Sequence, residues 1–488
     1  MAHKTPQFPG FHRRLFGRPP VSKLQQMARK RNGIEKLCLA QLASLFGTFL
    51  PSETIDAAAA SGANSRKRIF TPAITFWAFL SQVLVPGSSC RKALANVQTL
   101  FAARGLELPS CETKAYCNAR KRLPVRMLQR ILDHVVRCLR AGIQGGARTL
   151  VVDGSTLKMP DTATNQAKYP QHMQKPGCGF PMMKLVGLFC LDSGAWIATA
   201  KSHYRVHESR LLARLLRRFR PGDTLVADRA YCSYWMAATL MARGVDFVMR
   251  NHQHRKADFR KGKRLGKGDH CIVWEKPRTR PSWMSKIEYD ALPDHLVVRE
   301  TRLPRPKVKG YRTGEIVVVS SFIVPEEKSI EELGEYFLKR WRVELFFEDI
   351  KTSQQMEMLR TKCPPMICRE LLMHMIAYNL IRAVALRSSP HAEGRLDQKQ
   401  ILERVSYKGT ADRLAAWSWA IWAAPSGKKA QALVNHLHET IAEDLVPERP
   451  GRREPRVLKR RPKNYQYMTK PRHRMREIPH RNVYRAPA

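Results

Sequence analysis

The residues best placed to do chemistry lie in Arg340-Trp341-Arg342-Val343-Glu344-Leu345-Phe346-Phe347-Glu348-Asp349-Ile350-Lys351. Read as a helix, this stretch puts Arg340, Glu344, Glu348 and Lys351 within about a right angle on one face, and Phe337 joins them from the turn before. Apolar residues border the charged stripe on both sides: Leu338, Trp341 and Leu345 on one, Tyr336, Val343, Phe347 and Ile350 on the other. A surface helix ordinarily has one apolar stripe and a solvated back, so this pattern suits a helix laid along a half-buried cleft. Two further carboxylates end short β-rich runs, Asp153 after Thr149-Leu150-Val151-Val152 and Asp228 after Thr224-Leu225-Val226-Ala227. Asp153, Asp228 and Glu344, with no histidine base or cysteine nucleophile among them, call for hard oxygen-ligated cations, Mg²⁺ or Mn²⁺. Two such ions about 4 Å apart activate an attacking oxygen and stabilise a leaving one in an in-line phosphoryl transfer. Arg340 and Lys351, a turn or two either side of Glu344, are placed to hold phosphates. This chemistry fits a metal-dependent nuclease and a strand transferase equally.

The elements that must position these groups are read from capping and turn signals. The run ending at Asp153 is followed by a turn, Gly154-Ser155. Apolar runs over 185–191 and 195–201, joined by Asp192-Ser193-Gly194, form a hairpin. A helix over 208–219, a short strand over 224–227, a helix over 233–243 stopped by Gly244 and a strand over 245–250 follow. His207-Glu208 could approach the metals, but reads first as an N-cap with a first-turn acid. The order strand, strand, strand, helix, strand, helix, strand is that of a ribonuclease H-like fold. In it the first and fourth strands are neighbours, which would set Asp153 and Asp228 side by side.

Residues 251–315 are polar and strongly basic with short β-like pieces, a β-rich insertion. A strand over 316–324 and a long helix from Ile330 through Lys351 return to the core, and an apolar helix over 370–386 packs behind it. Trp417, Trp419 and Trp422 read as core of a helical region reaching Leu445. The expected fold class is therefore α/β. A ribonuclease H-like catalytic core (146–250 and 316–388) is interrupted by the insertion (251–315). It is flanked by helical regions at 34–145 and 389–445, with a basic arm at 1–33 and a basic tail at 446–488 that cannot form a core. In the first helical region, a helix over 76–84 breaks at Pro86-Gly87. Ser89 caps a second that stops at Gly105, and Ser110 caps a third carrying Arg120-Lys121-Arg122 and stopping at Pro124. These suit a helix-turn-helix reader of DNA and a helical bundle with a basic edge alike.

Charge narrows the partners. With 86 Lys and Arg against 41 Asp and Glu in 488 residues, the net charge is +45. Such an excess repels itself unless a polyanion is bound, and nucleic acid is the expected one. No apolar run approaches the roughly 20 residues of a membrane span, and no secretory signal is expected. The eleven cysteines are scattered singly, without zinc-site spacing, and read as reduced thiols of a cytoplasmic protein.

The pattern Y-x2-R-x3-E-x6-K is matched by Arg340, Glu344 and Lys351 in residue and spacing, with Phe337 at the tyrosine position. With Val151-Val152-Asp153-Gly154-Ser155-Thr156 and Ala227-Asp228-Arg229-Ala230-Tyr231, the chain resembles bacterial insertion-sequence DDE transposases of the IS-four group. The likeness extends through Phe76 to Gln82, Ser89-Cys90-Arg91, Tyr116 to Pro124 and the basic tail, and so covers nearly the whole chain. It implies Asp153, Asp228 and Glu344 as catalytic metal ligands for two Mg²⁺ or Mn²⁺ ions and leaves Glu348 a bystander. Arg340, Lys351, Phe337 and Arg229 are the implied DNA contacts. The implied activity is nicking at terminal inverted repeats and transfer of the 3′-hydroxyl to target DNA, by a homodimer on paired ends in the bacterial nucleoid. Phe337 lacks the phosphate-gripping hydroxyl, and no Trp opens the strand at Ile316, so the likeness does not extend to the hairpin route of related enzymes. A DNA-binding relative that does not cut, and a plain ribonuclease H-like nuclease, are the other readings.

Overall fold

Near-continuous apolar runs mark strands covered on both faces, and Leu150-Val151-Val152 and Leu225-Val226-Ala227 are such runs, all fully buried. The computed structural model describes residues 45–46, 49–60, 69–103, 105, 107–141, 146–171, 179–303, 315–392, 403–424, 426–447 and 474. The arm expected over 1–33 and nearly all of the tail over 446–488 lie outside the described residues.

Helices α1 (Ser52–Ala60), α2 (Pro72–Leu84), α3 (Cys90–Ala103), α4 (Lys114–Arg122) and α5 (Val125–Ala141) come first. Thr71 caps α2, its Oγ1 accepting from Ile74 N at 3.2 Å, and Ser89 caps α3 as expected, accepting from Lys92 N at 3.1 Å. Ser110 does not cap α4. It closes a local turn on Glu112 N at 3.2 Å, and α4 starts at Lys114 without a side-chain cap. Pro124 separates α4 from α5, where its fixed φ suits a helix start. Arg120, expected on a basic edge, is buried. It donates to Gln82 Oε1 at 3.1 Å and to Cys90 Sγ at 3.1 Å, while Tyr116 Oη donates to Gln82 Oε1 at 2.9 Å. This polar knot ties α2, α3 and α4 together and leaves Lys121 and Arg122 exposed.

The sheet is built from β1 (Thr149–Lys158), β2 (Met182–Cys190), β3 (Trp196–His203), β4 (Thr224–Ala227), β5 (Asp246–Arg250), β6 (Lys263–Gly266), β7 (Asp269–Glu275), β8 (His295–Leu303) and β9 (Ile316–Ser320). Between these strands lie α6 (Ala163–Lys168), α7 (Glu208–Ala213), α8 (Tyr234–Met241) and α9 (Lys286–Asp290). The strand order is β3-β2-β1-β4-β5-β9-β8-β7-β6. The β1–β4 and β4–β5 pairs are parallel; the remaining neighbours are antiparallel. The first and fourth strands therefore adjoin, as expected, and Gly194 closes the β2–β3 hairpin at φ +66°.

Two strand and helix expectations are corrected in the core. Asp153 does not end its strand: β1 runs on to Lys158 because β2 pairs with it all the way, Lys158 opposite Met182. The helix over 208–219 is only α7 followed by a 3₁₀ turn at Leu216–Arg218. The insertion's strands join the core sheet. β9 pairs with β5 on one side and β8 on the other, so β6, β7 and β8 prolong the core sheet.

The C-terminal half holds α10 (Ile330–Lys339), α11 (Arg342–Glu348), a π-helical turn at Asp349–Ser353, α12 (Pro364–Arg387), α13 (Tyr407–Ala423) and α14 (Gly427–Glu443). Ser329 and Glu332 form a capping box at the start of α10. The single helix expected over 330–351 is thus in pieces. Arg340 N and Trp341 N bond three residues back, to Phe337 O at 3.2 Å and Leu338 O at 3.1 Å, a local tightening without proline or glycine.

Aromatic packing seats α11 on the sheet. The Phe189 ring lies 5.4 Å, centroid to centroid, from each of Trp196, Phe346 and Phe347. The nearly wholly buried α12 closes this cluster with Tyr378, 6.2 Å from Phe189, and packs on α5, α2 and α13. Asn379 satisfies the free edge of β3, accepting from Trp196 N at 2.8 Å and donating to Trp196 O at 3.0 Å. Arg382 donates to Asp349 Oδ2 at 2.7 Å, pinning the π-helical turn to α12. Trp417 packs against the core as expected; the side chains of Trp419 and Trp422 lie outside the described residues. Arg382→Met, which leaves the mostly buried Asp349 carboxylate unpaired, is expected to cost about 3–5 kcal/mol in urea unfolding. Adding Asp349→Leu should recover most of that loss.

Candidate active site

The parallel register that pairs Val151 with Val226, carried two residues further, sets Asp153 level with Asp228. Across β2, Asp153 stands opposite Gly187. Arg340, at the joint between α10 and α11, is only 6% exposed. Its Nη1 lies 4.0 Å from Asp153 Oδ2 and its Nη2 3.7 Å from Glu344 Oε1. One guanidinium is thus strung between the sheet and the helix, and its Nε has no hydrogen-bond partner. Asp153 Oδ1 also accepts from Gly154 N at 2.7 Å.

Burial pushes the Asp153 carboxyl up to about 6, and the nearby Glu208 and Asp228 carboxylates push the same way. The Gly154 N–H and the Arg340 guanidinium pull it down without offsetting the rise. Among the described residues no three His, Cys, Asp or Glu side chains form a ready cage for a metal. The oxygen donors of Asp153, Asp228 and Glu344 are of the kind that suit a hard divalent cation.

Glu208 is the group that sequence reasoning undervalued. The expected cap is present, His207 Nδ1 accepting from Ser209 N at 3.3 Å. The Glu208 carboxylate also lies over Gly154, however, where a Cβ would stand 2.3 Å from its Oε1. Tyr231 Oη donates to Glu208 Oε2 at 3.2 Å. The His-Glu pair after β3 was the signal, but nothing local to it points to Gly154 or Tyr231.

The other candidates separate. Glu348 is exposed, and among the described residues no ion pair joins it to Arg340, whereas Glu344 lies 3.7 Å from the Arg340 Nη2. Lys351 is half-buried in the π-helical turn, where burial lowers its pKa and Glu357 and Lys158 are its charged neighbours. That places it by the far end of β1, where Lys158 N donates to Glu357 O at 3.0 Å. Arg229 is exposed beside Asp228. The Phe337 ring is buried: it is 3% exposed and packs with Val248, Leu303, Val318 and Leu333. Its centroid is 5.7 Å from the Arg340 guanidinium, and Trp341 lies against the same group at 4.8 Å. The flank of Leu338, Trp341 and Leu345, expected against a cleft wall, is exposed among the described residues.

Residues 144–380 match the family described as Transposase DDE domain. The chain is 24% identical over 373 residues to the Escherichia coli (strain K12) protein named transposase InsG for insertion sequence element IS4, covering 73% of this chain and 78% of that protein. It is also similar to a cryo-EM structure of the piggyBac transposase synaptic complex with hairpin DNA, at TM-score 0.39 and 11% identity over 86% of each chain. A cation held through Asp153 would compete with its proton, so on that reading Mn²⁺ affinity read by electron paramagnetic resonance is expected to fall as pH drops below about 6. The expected slope is about tenfold per pH unit, with affinity independent of pH well above that value.

Proposed function

We propose, from the match of residues 144–380 to the transposase DDE domain family and the likeness to the IS4 transposase, that the protein is a DNA transposase acting on the ends of its own element. It binds the terminal inverted repeats, cleaves them by metal-dependent phosphodiester hydrolysis and joins the freed 3′-hydroxyl to target DNA by transesterification. The observation that carries this reading is the Arg340 guanidinium between Asp153 and Glu344, with Asp228 close enough to act on Asp153. Residues from three distant parts of the chain are thereby linked through Arg340 and Asp153. The order β3-β2-β1-β4-β5 supports reading the core as ribonuclease H-like.

Asp153, Asp228 and Glu344 are the catalytic carboxylates and would hold two Mg²⁺ or Mn²⁺ ions. Bound there, the pair supplies activation of the attacking oxygen and stabilisation of the leaving one. In the first step water attacks phosphorus at the element end and the 3′ oxygen leaves with a proton. In the second, that 3′-hydroxyl attacks a target phosphodiester and displaces the target's 3′ oxygen. Arg340 is held in a dry, fixed position with an unpartnered Nε, so it meets developing phosphate charge without first reorganising. Lys351 and Arg229 add phosphate contacts further out, and Phe337 supports Arg340 from beneath. The helices over 34–145 and the basic arm and tail grip duplex DNA, for which a net charge of +45 supplies affinity. Two subunits pair the two ends, in the bacterial cytoplasm with its nucleoid DNA.

Incubating the purified protein with end-bearing duplex and Mg²⁺ tests this. Nicks at the end and joined products are expected. Asp153→Ala, Asp228→Ala and Glu344→Ala should each lower both by about a thousandfold or more, whereas Glu348→Ala stays within about twofold. End binding without cleavage, or cleavage without end preference, overturns the reading in favour of a DNA-binding relative or a nuclease.

A further inference from the structure

Glu208 is a carboxylate that the three-acid pattern leaves without a role. Its side chain reaches back from α7 to the backbone beside Asp153. A Cβ on Gly154 would stand 2.3 Å from its Cδ and Oε1 and 2.6 Å from its Oε2, closer than any side-chain carbon tolerates. Glycine at 154 is therefore what admits the carboxylate to this spot. From the other aspartate's side comes Tyr231, three residues after Asp228 and fully buried, whose hydroxyl donates to Glu208 Oε2 at 3.2 Å. The segments that carry Asp153 and Asp228 thus each supply one contact to Glu208. That is the sole hydrogen bond to its carboxylate among the described residues, so Oε1 is left open.

A first-turn acid serves its helix by about 0.3–1 kcal/mol from the surface. It needs neither a glycine beneath it nor a buried phenol beside it. Setting it over Gly154 instead places two carboxylates side by side. Such crowding is favourable only when positive charge fills the space. The one cation there, Arg340, faces Asp153 and Glu344, and its Nε is itself unpartnered. We propose that Glu208 is a fourth carboxylate ligand of the cation site, offering Oε1 beside Asp153 while Tyr231 holds Oε2. This rests on the reading of Asp153, Asp228 and Glu344 as that site.

The test is Mn²⁺ titration of the full-length protein, read by electron paramagnetic resonance without DNA. Glu208→Gln keeps the shape and the Tyr231 bond, and it is expected to weaken Mn²⁺ binding about tenfold with the melting temperature unchanged. Glu208→Asp, which withdraws the carboxylate by one methylene but keeps its charge, should weaken it as well. Binding of end DNA without cation should be the same in both variants as in the wild type. If Glu208→Gln costs less than about fivefold while Asp153→Asn abolishes binding, Glu208 is not a ligand and the three-carboxylate site stands. If Asp153→Asn also leaves binding intact, the three-carboxylate site fails and the proposal with it.

Discussion

One buried guanidinium answers for the negative charge gathered at the end of this sheet, and much of the local architecture follows from that constraint. Arg340 lies between Asp153 and Glu344, with Phe337 and Trp341 rings against it. A desolvated guanidinium is tolerable only with such partners. Bringing it inward explains why the chain tightens at Arg340-Trp341 where the apolar periodicity alone reads as a continuous helix. It also explains why Phe337 sits in a core instead of on the open face. Glu344, one turn on, remains exposed, so one acid of the pair is half-buried and the other open to solvent.

Space around Asp153 is made by two glycines. Gly154 follows it and leaves room for Glu208; Gly187 stands opposite on β2, where a Cβ would come within 2.6 Å of Phe189 and 3.2 Å of Phe347. The second clearance lets the aromatic cluster lie flat enough for α11 to rest on the sheet. Arg382 and Asn379 then fix α12 behind it, one through Asp349 and the other through the β3 edge. The acid-bearing helix is positioned by packing from below and by a single charge from above. Few of these contacts can shift independently in an interior packed to this density.

Much of this was legible in the sequence because its signals are local. Asp228 follows a four-residue buried run, and the β2–β3 turn carries its glycine. Ser329 and Glu332 announce the start of α10. The errors arise where distant chain segments decide. Gly154-Ser155 has turn composition, yet β2 pairs past it and keeps it in strand. The basic composition over 251–315 suggested a separate piece, but only pairing shows that β9 joins it to the core sheet. Arg120 looked like part of a basic edge until Gln82 and Cys90, contributed by other helices, claimed it. Glu208 had a sufficient local explanation as a first-turn acid, and its neighbours Gly154, inside β1, and Tyr231, after β4, are distant in the chain.

The central claim is that Asp153, Asp228 and Glu344 surround one cation site. Loading the protein with Fe²⁺, generating hydroxyl radicals with ascorbate and peroxide, and mapping the backbone cuts by mass spectrometry tests it most directly. Cuts clustered around residues 153, 228 and 344, suppressed by excess Mg²⁺, are the predicted result. Cuts that miss two of those three segments, or that centre on His252 and His254, would contradict it.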